Sequence, residues 1–327
     1  MIPSASALAE ASPRVRVSVG IMAHNEEANI GQLVEALLAQ RGARLVLSEV
    51  IVVASGCTDG TEDVVRRWSE RDARVELVVQ PRREGKASAV NLFLARAREE
   101  VLVLCSADLV PAPGTLERVV DPFREPEIGL TTCRPVPVDD PRTFLGFAAH
   151  LLWDLHHRMN LVAFKAGELV AFRKVFQRIP YKTSVDEASI EPVIRGQGYG
   201  VRYVASAIVR NKGPETIADF LSQRRRIYAG HLALRHEVGY RVSTLSGWKV
   251  LGLVLRGLPW RPRAFAWTWA VAALELYGRL LGRRDYRSRR DHSVWAIATT
   301  TKRLAPPAPA TAADPPATGA GAVEEAR

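Results

Sequence analysis

The feature that most constrains the fold is a regular alternation of short apolar runs with segments of helical periodicity. The apolar runs are rich in β-branched residues, and between them apolar side chains recur every three or four positions. The runs cover 15–22, 49–54, 75–79 and 101–105, and the helical segments cover 27–40, 58–69 and 85–98. Strands and helices that alternate in this way form a parallel sheet with right-handed crossovers. The sequence therefore predicts an α/β fold built on a mostly parallel sheet with flanking helices.

Polar residues follow the predicted strands, at the edge where open parallel sheets bind their ligands. The candidate binding residues in these loops and at the start of the third helix are Ala23, Asn25, Glu26, Ser55, Lys86, Ser106 and Asp108. The first strand is not followed by G-x-G-x-x-G, which argues against a dinucleotide site, and G-x-x-x-x-G-K-[ST] is absent, which excludes a P-loop. We therefore expect a different anionic ligand at this edge.

The net charge of +10 is a local property of the chain. Residues 221–303 hold 17 Lys and Arg but only four Asp and Glu. A basic segment of this kind is typical of a protein that faces an anionic ligand or an anionic membrane surface. The segment carries no recognisable nucleic-acid-reading motif, so we predict no nucleic-acid partner.

The most apolar stretch is 264–281, and its longest charge-free run is the 11 residues Ala264–Leu274. A membrane-spanning helix needs about 20 apolar residues, so none is predicted. Two interpretations stay open, a buried helix and an interfacial amphipathic helix flanked by Trp and Arg. Residues 1–13 lack the features of a signal peptide. The expected location is cytoplasmic, with peripheral binding to the inner face of the plasma membrane.

Seven motifs, in this order, resemble those of the family 2 glycosyltransferases with the GT-A fold. They cover about two thirds of the chain and lie on the predicted strand ends and helix starts. They are 22–27 (MAHNEE), 54–61 (ASGCTDGT), 83–91 (REGKASAVN), 106–108 (SAD), 167–173 (GELVAFR), 186–187 (DE) and 223–227 (QRRRI).

The resemblance implies an inverting transferase that moves a sugar from a nucleotide-diphosphate donor, with a UDP-sugar expected, to a hydroxyl acceptor. A lipid-linked or cell-envelope glycan is the expected acceptor. By resemblance, Glu187 is the catalytic base with Asp186 beside it, and Asp108 holds Mg²⁺ or Mn²⁺ on the diphosphate. The implied donor-binding residues are Ala23, Asn25, Glu26, Ser55, Lys86, Ser106, Asp108 and Arg226. The residues implied for the acceptor or diphosphate are Gln223, Arg224 and Arg173.

Four positions depart from the family pattern. Ser55 and Ser106 stand where the family usually has Asp, Glu187 replaces an Asp, and Ile227 replaces a Trp. These changes favour a single-addition transferase over a processive one. Two other functions stay open, a non-catalytic nucleotide-sugar-binding module that retains the GT-A fold and a nucleotidyltransferase-like α/β enzyme.

The chain divides into four predicted parts. Residues 1–13 form a disordered N-terminus and 14–235 form the catalytic domain. Residues 236–303 form a basic, amphipathic helical extension. Residues 304–327 form a tail rich in Ala and Pro, which holds too few large apolar side chains to order itself.

Overall fold

A computed structural model describes residues 14–181, 185–240, 242–245 and 247–290. The predictions of disorder for 1–13 and 304–327 lie outside the described residues. Within them, eight strands form one sheet in the order β3-β2-β1-β4-β7-β6-β8-β5. The strands are β1 (Val15–Ala23), β2 (Leu45–Ser55), β3 (Val75–Gln80), β4 (Val101–Ser106), β5 (Leu109–Pro111), β6 (Ile128–Pro137), β7 (Leu169–Arg173) and β8 (Gly200–Asn211).

The first half of the sheet has the predicted parallel order. β1 pairs in parallel with β2 and β4, and β2 pairs in parallel with β3. Three crossover helices connect these strands, namely α1 (Glu27–Leu38), α2 (Thr61–Arg71) and α3 (Lys86–Arg96). The carboxyl ends of β1, β2 and β4 therefore meet at one edge.

The second half of the sheet is mixed rather than parallel. β7 runs antiparallel to both β4 and β6, β6 is parallel to β8, and β5 is antiparallel to β8. The helices of this half are α4 (Thr115–Val120), α5 (Phe144–Asn160) and α6 (Asp186–Gly196). Because β7 is reversed, the start of this strand, not its end, lies beside the carboxyl end of β4.

Apolar residues cover both faces of the sheet, as the continuous apolar runs of the central strands predict. On one face Val19 and Val103 pack in a cluster with Leu33 of α1. On the other face Leu102 lies in a cluster with Phe93 of α3. Gly20 permits this packing, since a Cβ atom there would lie 2.6 Å from the Phe93 ring. The sheet is thus buried between two layers of helices.

Three further helices follow the sheet: α7 (Ile217–Glu237), α8 (Gly247–Arg256) and α9 (Pro262–Arg287). α9 packs against α7, where Arg225 forms two hydrogen bonds with the buried Asp285. Gly282 allows the close approach, since a Cβ atom there would lie 2.6 Å from the carbonyl oxygen of Arg225.

The outer face of α9 stays exposed, with Phe265, Trp269 and Leu276 each more than 40% accessible. α9 is thus buried along one side and open to solvent along the other. None of the helices in the described ranges is long and apolar enough to cross a membrane.

Candidate active site

A cleft lies at the carboxyl ends of β1, β2 and β4, bounded by the start of α6 and by one face of α7. Eleven of the residues expected at the site line it: Ala23, Glu26, Ser55, Lys86, Ser106, Asp108, Asp186, Glu187, Gln223, Arg224 and Arg226. The chain therefore brings together side chains that are up to 203 positions apart in the sequence.

The loops after β1 and β2 are tied to each other. His24 Nδ1 lies 2.7 Å from the carbonyl oxygen of Ser55, and the Thr58 backbone N–H donates to Asn25 Oδ1 at 2.8 Å. Asn25 has a φ of 54° and Gly56 a φ of 56°, so both loops turn through the left-handed region. Asn25 therefore connects the two loops through Thr58 and is not among the residues that line the cleft.

Two buried polar side chains form the floor beneath these loops. Glu26 is 6% exposed and accepts a hydrogen bond from Asn29 Nδ2 at 3.0 Å. Ser55 is equally buried, and its hydroxyl donates to Gln80 Oε1 at 2.7 Å. Because the proton of Ser55 is committed to Gln80, its oxygen is left to accept a hydrogen bond from a ligand.

Lys86 is the charged centre of the cleft. It is the first residue of α3, and its Nζ atom donates to Glu187 Oε1 and lies 3.5 Å from Asp186 Oδ2. The same ammonium group donates to Ser106 Oγ at 3.3 Å. Burial alone would lower the pKa of Lys86, but the charges of Glu187 and Asp186 outweigh burial and raise it. Lys86 therefore stays protonated at neutral pH.

Asp186 and Glu168, two carboxyl groups near Lys86, have raised pKa values. Asp186 is 1% exposed, and burial together with the charge of Glu187 raises its pKa to about 6. Glu168, just before β7, has a pKa raised to about 7 by burial and by the charges of Asp108 and Glu187. The Asp186 Oδ1 atom is buried without a hydrogen-bond partner. This side of the cleft thus carries concentrated negative charge.

Asp108 follows β4 and lines the same part of the cleft. No group of three or more His, Cys, Asp or Glu side chains in the described residues has a metal-binding arrangement. Mg²⁺ is often held by one or two carboxylates together with substrate phosphates, and carboxylate oxygens are suitable ligands for Mn²⁺ as well. Asp108 therefore fits a cation whose other ligands come mostly from the substrate. Glu168 lies near enough for the charge of Asp108 to raise its pKa.

The face of α7 supplies the opposite wall. Arg226 faces the charges of Asp186 and Glu187, although burial lowers its pKa below the ordinary value. Gln223, three residues earlier on α7, and Arg224, two residues earlier, also line the cleft. The cleft therefore offers Lys86 and Arg226 as two cations beside a carboxylate pair.

The expectation for Arg173 is corrected by the structure. It is paired with Val101, at the far end of β4 from Ser106, and does not line the cleft. Its guanidinium donates to the backbone carbonyls of Phe123, Glu125 and Ile128. The reversal of β7 is the cause, since it directs the end of that strand away from the site.

The sequence reasoning missed several cleft residues. Glu168 belongs to the 167–173 motif, for which the resemblance implies a role only at Arg173, although its place immediately before a strand is a usable signal. Lys165, His156 and His231 also line the cleft. They lie in a loop and on two helices, and their sequence spacing gives no sign that they converge.

A mixed α/β sheet with a cleft at its strand ends is the architecture of the GT-A transferases, and the family of the chain agrees with it. The chain is a member of glycosyl transferase family 2, whose model matches residues 18–185.

Known proteins that resemble the chain include the glycosyltransferase AglE of Haloferax volcanii, 30% identical over 104 residues, or 32% of this chain and 34% of that protein. The dolichyl-phosphate beta-glucosyltransferase ALG5D of Trichomonas vaginalis is 30% identical over 101 residues, or 29% of this chain and 31% of that protein. The matched region therefore spans about a third of the length of these curated relatives.

A solved structure resembles a much larger part of the chain. The mannosyltransferase PcManGT from Pyrobaculum calidifontis, in complex with GDP-Man and Mn²⁺, has a TM-score of 0.56 and 25% sequence identity. The similarity covers 86% of this chain and 84% of that protein. The sheet and the helices that build the cleft thus follow the GT-A fold.

Proposed function

We propose that the protein is an inverting glycosyltransferase that moves one sugar from a nucleotide-diphosphate donor to a hydroxyl acceptor. The observation that carries the proposal is the position of Lys86, which contacts Ser106 at a strand end and Asp186 and Glu187 at a helix start. One cation thus joins the donor edge of the sheet to the carboxylate pair expected to activate the acceptor.

The donor's leaving group is a diphosphate, and its charge needs neutralisation as the bond to the sugar breaks. Lys86 and Arg226 supply charge-assisted hydrogen-bond donors in this part of the cleft. A divalent cation held by Asp108 would neutralise further charge on the diphosphate oxygens. Glu26 and Ser55, on the buried floor, are the proposed nucleoside-binding residues.

Glu187 is the proposed base. It accepts the proton of the acceptor hydroxyl while the hydroxyl oxygen bonds to the anomeric carbon and the carbon–oxygen bond to the diphosphate breaks. Attack opposite the leaving group inverts the anomeric centre. Asp186 retains a raised pKa because it is buried next to Glu187, and it helps to hold Lys86 in place.

The proposed donor base is uracil, with guanine as the second candidate. The uracil proposal comes from the family pattern, while the mannosyltransferase PcManGT is in complex with GDP-Man. Ser55 leaves an acceptor oxygen free for an N–H group, and both bases have one. A panel of donors therefore has to decide between them.

The test is release of nucleotide from UDP-, GDP- and dTDP-sugars, measured with Mn²⁺ and with EDTA, alongside thermal shifts with the same ligands. We expect one nucleotide class to raise the unfolding temperature and to be turned over only when metal is present. Binding without turnover across a range of acceptors would favour the non-catalytic module, and no binding at millimolar concentration would contradict the proposal.

We further propose that the basic extension, 236–303, brings the catalytic domain, 14–235, to an anionic membrane surface on the cytoplasmic side. In α8 and the following loop Trp248 is 85% exposed and Trp260 fully exposed. Lys249, Arg256 and Arg261 are exposed beside them. Exposed Trp with neighbouring cations is typical of interfacial segments, and each cation contributes about 1 kcal/mol at an anionic surface. A lipid-linked or cell-envelope glycan is the matching acceptor.

A further inference from the structure

The cleft extends beyond the donor loops, along α5 and α7. On α7 the lining residues Phe220, Gln223, Arg224, Ile227 and His231 recur every three or four positions and form one face. This face spans about 18 Å at the helical rise per residue. Arg226 faces Asp186 and Glu187, whereas His231 lies near enough to Lys165 for that charge to lower its pKa. The α7 wall thus borders both the carboxylate pair, at Arg226, and a second region of the cleft.

This second region, the helical end of the cleft, is lined by apolar side chains from two helices. α5 contributes Leu145, Leu152 and Trp153, and α7 contributes Phe220 and Ile227. α5 also packs against α8 and α9, which carry the exposed aromatic side chains. An apolar wall at this place favours a ligand with a hydrocarbon portion.

The same region holds two cations, Lys165 and Arg224, that no carboxylate in the described part of the chain approaches closer than 4.0 Å, although the charges of Glu275 and Glu168 act on Lys165 from further away. Within the described residues no carboxylate lies within 4.0 Å of Lys165 Nζ, which lines the cleft. The nearby Glu275 is shared, since Arg279 Nε lies 3.1 Å from its Oε1 atom and Arg224 Nε lies 4.0 Å from its Oε2 atom. Arg224 Nε is buried without a hydrogen-bond partner. One cation and one guanidinium N–H group therefore lack a close partner.

The histidines beside these cations do not add to the charge. Burial and the charge of Lys165 lower the pKa of His156 to about 3 and that of His231 well below its usual value. Burial and the charge of Arg224 also lower the pKa of Lys165, to about 8. The cations thus repel one another, and an anion bound between them would relieve that repulsion.

We propose that the helical end of the cleft binds the acceptor as an anionic amphiphile. A phosphate group would lie between Lys165 and Arg224, a hydrocarbon chain along the apolar wall of α5 and α7, and the reacting hydroxyl toward Glu187. Arg and Lys are the preferred partners of phosphate in proteins. The inference rests on the proposed function, because only an acceptor has its hydroxyl at Glu187.

The test measures binding of decyl phosphate, 1-decanol and inorganic phosphate by isothermal titration, all below micellar concentrations. We expect decyl phosphate to bind at least tenfold more tightly than either of the other two. Lys165→Met should weaken decyl phosphate binding at least tenfold, while Arg67→Met, which removes an exposed cation on α2, should not. Equal binding of 1-decanol, equal binding of inorganic phosphate, or an unchanged Lys165→Met affinity would overturn the inference.

The same samples distinguish this inference from the proposed function. UDP and GDP are titrated into the wild type and into Lys165→Met, and thermal unfolding shows that the variant is folded. Nucleotide binding without decyl phosphate binding would remove the amphiphile inference and leave the transferase proposal standing. Decyl phosphate binding that depends on Lys165, without any nucleotide binding, would support the site and contradict the proposed donor.

Discussion

Lys86 Nζ donates a hydrogen bond to Glu187 Oε1, joining the first residue of α3 to the first turn of α6. The ammonium group also lies 3.5 Å from Asp186 Oδ2. A nucleotide diphosphate that binds next to Lys86 would compete with these carboxylates for the same cation. Donor binding would therefore free Glu187, the proposed catalytic base, from its hydrogen bond with Lys86.

Replacing Lys86 should therefore weaken donor binding directly. We expect Lys86→Met to lower the affinity for the preferred nucleotide at least tenfold, because a hydrogen bond to a charged group contributes about 1.5–3 kcal/mol. Isothermal titration with UDP and GDP measures the change, and Arg67→Met serves as the charge control. An unchanged affinity in Lys86→Met would place the diphosphate elsewhere.

Asp186 should make stability depend on pH. Its pKa is about 6 in the folded protein, above the ordinary 3.8, so folding favours the protonated carboxyl group. The resulting contribution to the free energy of unfolding is fully present below pH 3.8 and is lost as the pH rises through about 6. Asp186→Asn removes this titration. The wild-type unfolding free energy minus that of Asp186→Asn should fall by about 2 kcal/mol between pH 4 and 7.

Urea denaturation at four pH values from 4 to 7.5 measures this difference. Glu70→Gln, an exposed carboxylate on α2, is the control and should show a pH profile parallel to the wild type. If the profile of Asp186→Asn also ran parallel to the wild type, Asp186 would not hold a raised pKa.

Local sequence patterns predicted the parallel half of the fold because each of its elements has its own hydrophobic period. Arg173 was misplaced because the direction of β7 depends on its pairing with β4 and β6, which no local period encodes. Lys165 was missed for a similar reason, since only the packing of α5, α7 and α9 places it in the cleft.

The pair of Arg225 and Asp285 should stabilise the docking of α9 on α7. Arg225→Met leaves a carboxylate that is 2% exposed without its main partner. Loss of one partner of a buried pair is strongly destabilising, and because the Arg225 side chain is 30% exposed we expect about 2 kcal/mol.

The double variant Arg225→Met/Asp285→Asn should recover part of this loss, since it no longer buries an unpaired charge. Arg235→Met, an exposed arginine on the same helix, is the matched control and should change stability little. Chemical denaturation measures all four proteins. Equal stability of Arg225→Met and the control would show that the pair does not stabilise the α7–α9 interface.

The exposed Trp side chains should determine membrane binding. We expect the wild type to sediment with vesicles that contain phosphatidylglycerol and much less with phosphatidylcholine vesicles, because both charge and aromatic insertion contribute. Trp248→Ala/Trp260→Ala should reduce the bound fraction several-fold. Val79→Ala, an exposed apolar position on β3, is the control. Negligible binding of the wild type to both vesicle types would leave the charge as a solvated surface.

The most direct test of the account compares donor binding and sugar transfer in Glu187→Gln. The amide keeps the shape of the side chain but cannot take a proton from the acceptor, so turnover should fall by a factor of about 10²–10⁴. Nucleotide affinity should be retained or raised, because the amide competes less than a carboxylate with the diphosphate for Lys86, and Glu70→Gln should retain both properties. Wild-type turnover in Glu187→Gln would contradict the assignment of Glu187 as the base.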